Sequence, residues 1–149
     1  IERKLSPNSL NVEINHKEKR VIGLGLLVLL GIEEADTQED VNWLSSKISN
    51  LRIFADEEGV MNKSLLDVDG EMMVISQFTL HAKTKKGNRP SYIKAAKPEH
   101  SVPLYKAYLT KASQDIKKEV VSGEFGAHMD ISLINDGPVT IIIDTKNKE

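Results

Sequence analysis

The chain has 149 residues, a formal net charge of -2 and no cysteine. A chain of this length is most simply one domain that folds without disulfides, and the lack of cysteine fits a reducing compartment such as the cytoplasm. The small net charge argues against a strongly basic nucleic-acid coat protein, and the longest apolar run, residues 24–32, is far shorter than the roughly 20 residues that span a bilayer.

The first half of the chain predicts a hairpin, a buried strand and a helix. Residues 1–10 predict a loop or an irregular strand, and the alternation at residues 12–14 and 20–22 around a turn at residues 15–17 predicts a β-hairpin. The continuous apolar run at residues 26–30 predicts a strand buried on both faces. Asp36 or Thr37 can cap a helix whose apolar residues recur at helical spacing, namely Val41, Leu44, Ile48 and Leu51. Residues 52–54 predict a short strand.

The second half predicts a connecting segment at residues 61–69, a strand over residues 71–81, a loop at residues 84–90 and a helix over about residues 99–117. Pro103 must lie near the start of that helix, because an interior proline costs roughly 3 kcal/mol. Further strands are predicted at residues 120–121, 129–133 and 139–143. With about seven or eight strands and two helices, the pattern predicts a mixed α and β single domain over residues 1–149.

Two stretches at the ends of apolar runs offer polar side chains and backbone groups to a ligand. The first follows the run at residues 71–75 and consists of Ser76, Gln77, Phe78 and Thr79. Where a strand stops pairing, successive N–H groups can stabilise an oxyanion. Thr79 could instead be a nucleophile, but a threonine on a strand is more often a packing residue, and the sequence shows no adjacent base.

The second stretch contains Gly137 and Pro138. Glycine lets the backbone approach a ligand closely, and proline fixes the direction of two carbonyls. A tight turn between two strands explains the pair equally well, and taken alone it is the safer interpretation.

Residues 81–98 contain no acidic side chain. Such a stretch is usually a solvated loop, but here its bends at Gly87 and Pro90 carry side chains that could grip phosphates: Lys85, Lys86 and Arg89. The four histidines are scattered without metal-ligand spacing, so we expect no metal ion and no cofactor. Reasoning from residues alone reaches an α/β domain with a possible site for an anionic ligand.

The two stretches together resemble the signature motifs of the D-aminoacyl-tRNA deacylase family. The resemblance rests on Ser76-Gln77-Phe78-Thr79-Leu80 and Asn135-Asp136-Gly137-Pro138-Val139-Thr140, with support from residues 31–32, 50–54, 86–90 and 125–129. A related group that acts on mischarged L-alanyl-tRNA has Pro-Gln-Ala-Thr in place of residues 76–79, so the chain is more similar to the D-specific group.

The resemblance implies the fold of that family, with mostly antiparallel strands in barrel-like sheets and two main helices. It implies a homodimeric hydrolase that cleaves D-aminoacyl-tRNA, and glycine mischarged on tRNA(Ala), without a cofactor. The Gly137–Pro138 turn, with a cis peptide bond, would enter the partner's pocket and exclude L-amino acids, supported by Arg3. Backbone N–H groups around Gln77, Phe78 and Thr79 would bind the oxyanion, and the 2′-hydroxyl of the terminal adenosine would assist hydrolysis.

Two alternatives remain open at this stage. The chain could be a non-catalytic RNA-binding module that uses residues 83–97, in which case binding would depend on salt and ignore the stereochemistry of an attached amino acid. It could also be a structural dimerisation domain with neither property.

Overall fold

A computed structural model describes residues 10–148 and the backbone of residues 2–4. In chain order the elements are β1 (Glu2–Lys4), β2 (Leu10–Ile14), β3 (Glu18–Ile22), β4 (Gly25–Leu30), α1 (Gln38–Asn50), β5 (Phe54–Ala55), β6 (Met61–Lys63), β7 (Glu71–Ser76), a 3-10 helix (Phe78–His81), α2 (Pro98–Ile116), β8 (Val121–Ser122) and β9 (Met129–Ser132). The predictions for residues 1 and 5–9, and the role predicted for the Arg3 side chain, lie outside the described residues.

The central layer is a four-stranded sheet in the order β1-β4-β7-β8. β4 pairs in parallel with β7, and its alternate residues face opposite sides of the sheet. Leu26 and Val28 pack with the helices, whereas Leu27 packs with residues of a second sheet. The continuous apolar run therefore forms a strand buried on both faces, as predicted.

The second sheet is antiparallel, in the order β3-β2-β9. The predicted hairpin joins β2 to β3 through Asn15 and His16, whose φ values of 49° and 55° turn the chain. β9 pairs with the other edge of β2, with Ile14 opposite Met129. Arg20 also donates a hydrogen bond to the Ser122 carbonyl at 2.6 Å, which links the two sheets.

The two helices lie side by side on the outer face of the central sheet. Thr37 caps α1 as predicted, in a capping box in which its side chain accepts a bond from the Glu39 N–H while its own N–H donates to Asp40. Pro98 occupies the first turn of α2, but Pro103 lies inside the helix, so the prediction for Pro103 was wrong. Because proline has no N–H, the Glu99 carbonyl loses one helical hydrogen bond. Glu99 is exposed and lies in the first turn of α2, so water can supply the missing bond.

Three segments differ by more than a residue or two from the sequence-based prediction of strands. The strand predicted over residues 71–81 ends at Ser76, because the chain then turns into the 3-10 helix. Residues 139–143 form no regular strand: Thr140 takes part in a single bridge, and Ile141 and Ile143 pack partly buried against the helix-side core. Residues 61–63, predicted only as part of a connection, form β6 and pair with β5. Within the described part of the chain, neither helix is long and apolar enough to cross a membrane.

Candidate active site

The segment after β7 presents two backbone donors that nothing in the described structure uses. The N–H of Gln77 donates to the Leu30 carbonyl at 2.8 Å and so extends the pairing of β7 with β4. The N–H of Leu80 donates back to the Gln77 carbonyl at 3.2 Å and closes the first turn of the 3-10 helix. Between them, the N–H groups of Phe78 and Thr79 have no hydrogen-bond acceptor among the described residues. The predicted set of donors at this strand end is therefore reduced from three to two.

The hydroxyl of Thr79 is held by an amide. The side-chain amide of Gln77 donates to the Thr79 oxygen at 2.5 Å. In residues 10–148 no carboxylate or imidazole is hydrogen-bonded to this hydroxyl. An amide donor lowers electron density on the oxygen and cannot take its proton, so the structure supplies Thr79 with no general base.

The Gly137–Pro138 turn is exposed and is braced from within. Asn135 accepts a hydrogen bond from the Val139 N–H at 3.1 Å and donates to the Thr140 hydroxyl at 3.0 Å, so its side chain spans the turn. The Gly137–Pro138 peptide bond is cis, and Gly137 has a φ of 129°, which side-chain-bearing residues rarely adopt. Neither Gly137 nor Pro138 is hydrogen-bonded to the segment 76–79 of its own chain.

The loop at residues 84–90, called the basic loop below, is anchored next to the 3-10 helix. Lys83 and Ser91 exchange two backbone hydrogen bonds of 2.8 and 3.0 Å, which close the loop at its base. Tyr92 then contacts the ring of Phe78 edge-on, with 5.0 Å between the centroids. The side chains predicted to grip phosphates all lie exposed between these anchors: Lys85, Lys86 and Arg89.

Large apolar side chains near these segments are exposed to an unusual extent. Phe78 and Leu80 in the 3-10 helix are 58% and 55% exposed, and Ile93 after the basic loop is 80% exposed. Ile134 and Ile142, on either side of the Gly137–Pro138 turn, are 62% and 91% exposed. Large apolar side chains exposed in this way are typical of surfaces that bind a partner.

A cavity of about 640 Å³ lies behind the 3-10 helix, between β4, the two helices and residues 140–146. Two buried polar atoms in residues that line it have no hydrogen-bond partner among the described residues, the Nε2 of His81 and the hydroxyl of Tyr108. Burial, together with the charge of Asp115, raises the pKa of Tyr108 far above its usual range. Nothing in the sequence pattern indicated this cavity.

Lys146 ties the segment beside this cavity to the start of α1. Its ammonium donates to Asp40 at 2.7 Å and lies 3.7 Å from Asp36. Burial alone would raise the pKa of Asp40, but hydrogen bonds from Lys146 and from the Thr37 N–H outweigh burial and hold that pKa well below its usual range. Asp36 accepts a hydrogen bond from the Glu33 N–H at 2.9 Å, but burial outweighs this bond and raises the pKa of Asp36.

Comparisons with known proteins agree with the motifs. The D-Tyr-tRNA(Tyr) deacylase family profile matches residues 7–144. The chain is 63% identical over 139 residues to the D-aminoacyl-tRNA deacylase of Bacteroides thetaiotaomicron, and 60% identical over 139 residues to that of Parabacteroides distasonis, with 93% of both chains covered in each case.

Solved structures share the fold. One, described as the c-Myc DNA Unwinding Element Binding Protein, superimposes with a TM-score of 0.84 at 36% identity and covers 94% of this chain and 93% of its own. Another, described as a probable eukaryotic D-amino acid tRNA deacylase, has a TM-score of 0.72 at 14% identity over 87% of this chain and 91% of its own, and it supports the fold alone. The two motifs, the fold and the profile match agree that the chain belongs to the D-Tyr-tRNA(Tyr) deacylase family.

Proposed function

We propose that this protein hydrolyses the ester between a D-amino acid and the 3′ end of tRNA. Water adds to the ester carbonyl, the bond to the ribose oxygen breaks, and the products are the free D-amino acid and a tRNA with a free 3′-hydroxyl. The observation that carries the proposal is the pair of unused N–H groups at Phe78 and Thr79, at the strand end where the family motif lies.

The proposed chemistry needs no titratable side chain. When water attacks, negative charge develops on the former carbonyl oxygen, and two fixed backbone donors stabilise that charge without reorganising. The Gln77 N–H is already bonded to Leu30 and takes no part, whereas its side chain holds Thr79 in place. The 2′-hydroxyl of the terminal adenosine would assist the attack of water. We therefore expect Thr79→Ala to retain substantial activity, and a complete loss of turnover in a folded variant that still binds tRNA would contradict this mechanism.

Rejection of L-amino acids is assigned to Gly137 and Pro138 of a second copy in a homodimer. Their carbonyls would occupy the space that an L side chain needs, so the site excludes the wrong stereoisomer by steric clash. In support, the turn is exposed, braced by Asn135, and flanked by exposed apolar side chains that a dimer would bury. Glycine has no side chain to clash, so glycyl-tRNA(Ala) would also be a substrate.

The exposed basic loop is assigned to the tRNA backbone. Its base is fixed by the Lys83–Ser91 pairing, and Tyr92 sets it beside Phe78, so phosphates near the acceptor end can reach it while the ester lies at the 3-10 helix. Because translation in the cytoplasm uses aminoacyl-tRNA, we propose that the enzyme acts there. The same loop would also serve the alternative, a non-catalytic RNA-binding module.

Complementation between two inactive variants tests whether the turn acts across the dimer. Gly137→Ala disturbs the turn, because alanine rarely adopts a φ of 129°, and Phe78→Pro removes one of the two donors. Each variant alone should deacylate D-tyrosyl-tRNA poorly. A mixed dimer should regain activity, since one of its two sites combines an intact donor pair with an intact turn.

The control is each variant mixed with itself under the same conditions of subunit exchange. Activity that stays low in the mixed dimer, with both variants folded and dimeric, would place the turn and the donors in the same chain. A protein that binds D- and L-tyrosyl-tRNA equally and cleaves neither would favour the RNA-binding module.

A further inference from the structure

A cluster of two histidines and an aspartate lies at one end of the three-stranded sheet, away from the segments assigned above. His16 belongs to the turn between β2 and β3. His128 immediately precedes β9, and Asp130 lies within it. The backbone holds them together, because Ile14 pairs with Met129 and the Asn15 N–H donates to the His128 carbonyl at 3.0 Å. Residues that are far apart in the sequence therefore meet through strand pairing.

The potential ligand atoms already converge. Nδ1 of His16 lies 3.1 Å from one oxygen of Asp130, and Nε2 of His128 lies 3.3 Å from the other. One ligand atom from each of the three residues can be chosen so that all lie within 4.8 Å of one another. Ligands that each bind Zn²⁺ at about 2.0–2.1 Å in a tetrahedron are themselves about 3.3 Å apart, so only a small rotation of exposed side chains is needed.

We propose that His16, His128 and Asp130 form a binding site for a late first-row divalent cation, with Zn²⁺ as the best fit. The two imidazoles suit Zn²⁺ better than Mg²⁺ or Ca²⁺, which prefer oxygen ligands, and Zn²⁺ also accepts a carboxylate oxygen. Three protein ligands leave a fourth tetrahedral position for water.

The chemistry of the two rings accounts for the metal-free geometry. Each ring nitrogen lies at ion-pair distance from one Asp130 oxygen, and a carboxylate, which only accepts hydrogen bonds, is suited there to a ring nitrogen that carries a proton. A metal ion binds the lone pair of the same nitrogen once that proton has left or moved to the other ring nitrogen. The cation then occupies the position between the two ring nitrogens and the carboxylate.

Binding of the cation would fasten the hairpin turn to β9. The three side chains are 70%, 65% and 53% exposed for His16, His128 and Asp130, so substituting them removes little buried surface and the fold should survive. A ligand that binds only the folded state raises its stability, because the unfolded chain separates His16 from the other two.

The test uses tag-free, chelator-treated protein and adds Zn²⁺ or Co²⁺ alone. Wild type should bind one Zn²⁺ per chain by calorimetry, show the intense visible absorption of tetrahedral Co²⁺, and melt at a higher temperature with Zn²⁺. His16→Ala, His128→Ala and Asp130→Asn should each lose at least about tenfold in Zn²⁺ affinity, because even the loss of a group that only orients a ligand typically costs about 10- to 100-fold.

His100→Ala is the matched control, because the Nε2 of His100 contacts the Asp36 carbonyl and lies outside the cluster. It should bind Zn²⁺ like wild type. The proposal is overturned if wild type binds no Zn²⁺, or if the three cluster variants bind it as tightly as His100→Ala does. Circular dichroism of each variant confirms that a loss of binding does not reflect unfolding.

Discussion

Replacing single backbone amides by esters at residues 77, 78 and 79 tests the proposed oxyanion donors without changing a side chain. An α-hydroxy acid at one of these positions removes the N–H and leaves an oxygen. The N–H groups of Phe78 and Thr79 bond to nothing in the described structure, whereas that of Gln77 bonds to the Leu30 carbonyl at 2.8 Å. An ester at residue 77 should therefore lower stability rather than kcat, whereas an ester at residue 78 or 79 should mainly lower kcat.

Loss of an oxyanion donor typically lowers kcat by about 100- to 1000-fold, or about 2.7–4 kcal/mol. We expect a loss of this size for the esters at residues 78 and 79. Their loss of stability should be smaller than that of the ester at residue 77, because neither removed N–H is bonded and the Leu80 N–H keeps an acceptor, the weaker ester carbonyl of Gln77, in the residue 78 variant. The ester at residue 77 should cost about 1 kcal/mol of stability, the typical net contribution of one hydrogen bond, and leave kcat nearly unchanged.

The assay is single-turnover release of D-tyrosine from saturating D-tyrosyl-tRNA, with urea denaturation of each variant in parallel. Saturation separates kcat from tRNA binding, and denaturation separates both from folding. The reasoning is refuted if the esters at residues 78 and 79 keep wild-type kcat, or if the ester at residue 77 is the one that loses it.

Three further predictions concern stability and binding. Tyr108→Phe should raise the free energy of unfolding by about 1–3 kcal/mol, because it removes a buried hydroxyl that has no partner among the described residues. Tyr105→Phe should lower the free energy of unfolding by about 1 kcal/mol, because the Tyr105 hydroxyl donates to the Val74 carbonyl. If both variants lose the same stability in thermal denaturation, the Tyr108 hydroxyl has a partner. Asp40→Asn should lower the free energy of unfolding at pH 7 by about 1.5–3 kcal/mol. The pKa of Asp40 is depressed in the folded state, so its contribution is complete above about pH 4 and is lost as the pH falls through the folded-state pKa; urea denaturation that shows a constant difference between pH 7 and pH 2 would contradict this. Alanine at Lys85, Lys86 and Arg89 should weaken tRNA binding. The slope of log affinity against log salt concentration should become shallower by about 0.7–0.9 for each phosphate that the loop no longer neutralises, whereas alanine at Lys17 and Lys19 should leave this slope unchanged. Equal slopes for the two sets of variants in a filter-binding titration would show that the loop does not contact tRNA.

Local chemistry explains why much of the fold was predictable. The apolar run of β4 has no polar position along its buried length, and the Thr37 cap with Asp40 three residues later marks the start of α1. Both signals lie within a few residues of the structure they specify. The two motifs around residues 76–79 and 137–138 are local in the same sense, and the family was therefore recognisable from the sequence.

Features set by contacts between distant segments were not predictable. Phe78, Thr79 and Leu80 continue a strand-like pattern, yet the ladder ends when Gln77 bonds to Leu30, so the chain turns into the 3-10 helix. Residues 139–143 have strong β propensity, but only Thr140 takes part in a bridge, and Ile141 and Ile143 pack partly buried on the helix side. The unused donors and the meeting of His16 with Asp130 both depend on pairing between segments far apart in the chain.

The measurement that tests the central claim most directly compares the rates of release from D-tyrosyl-tRNA and L-tyrosyl-tRNA at equal enzyme concentration. The account predicts rapid hydrolysis of the D ester and none of the L ester above the spontaneous rate. Equal hydrolysis of both esters would contradict the rejection of L-amino acids by the Gly137–Pro138 turn. No hydrolysis of either by the folded protein would contradict the proposed function itself.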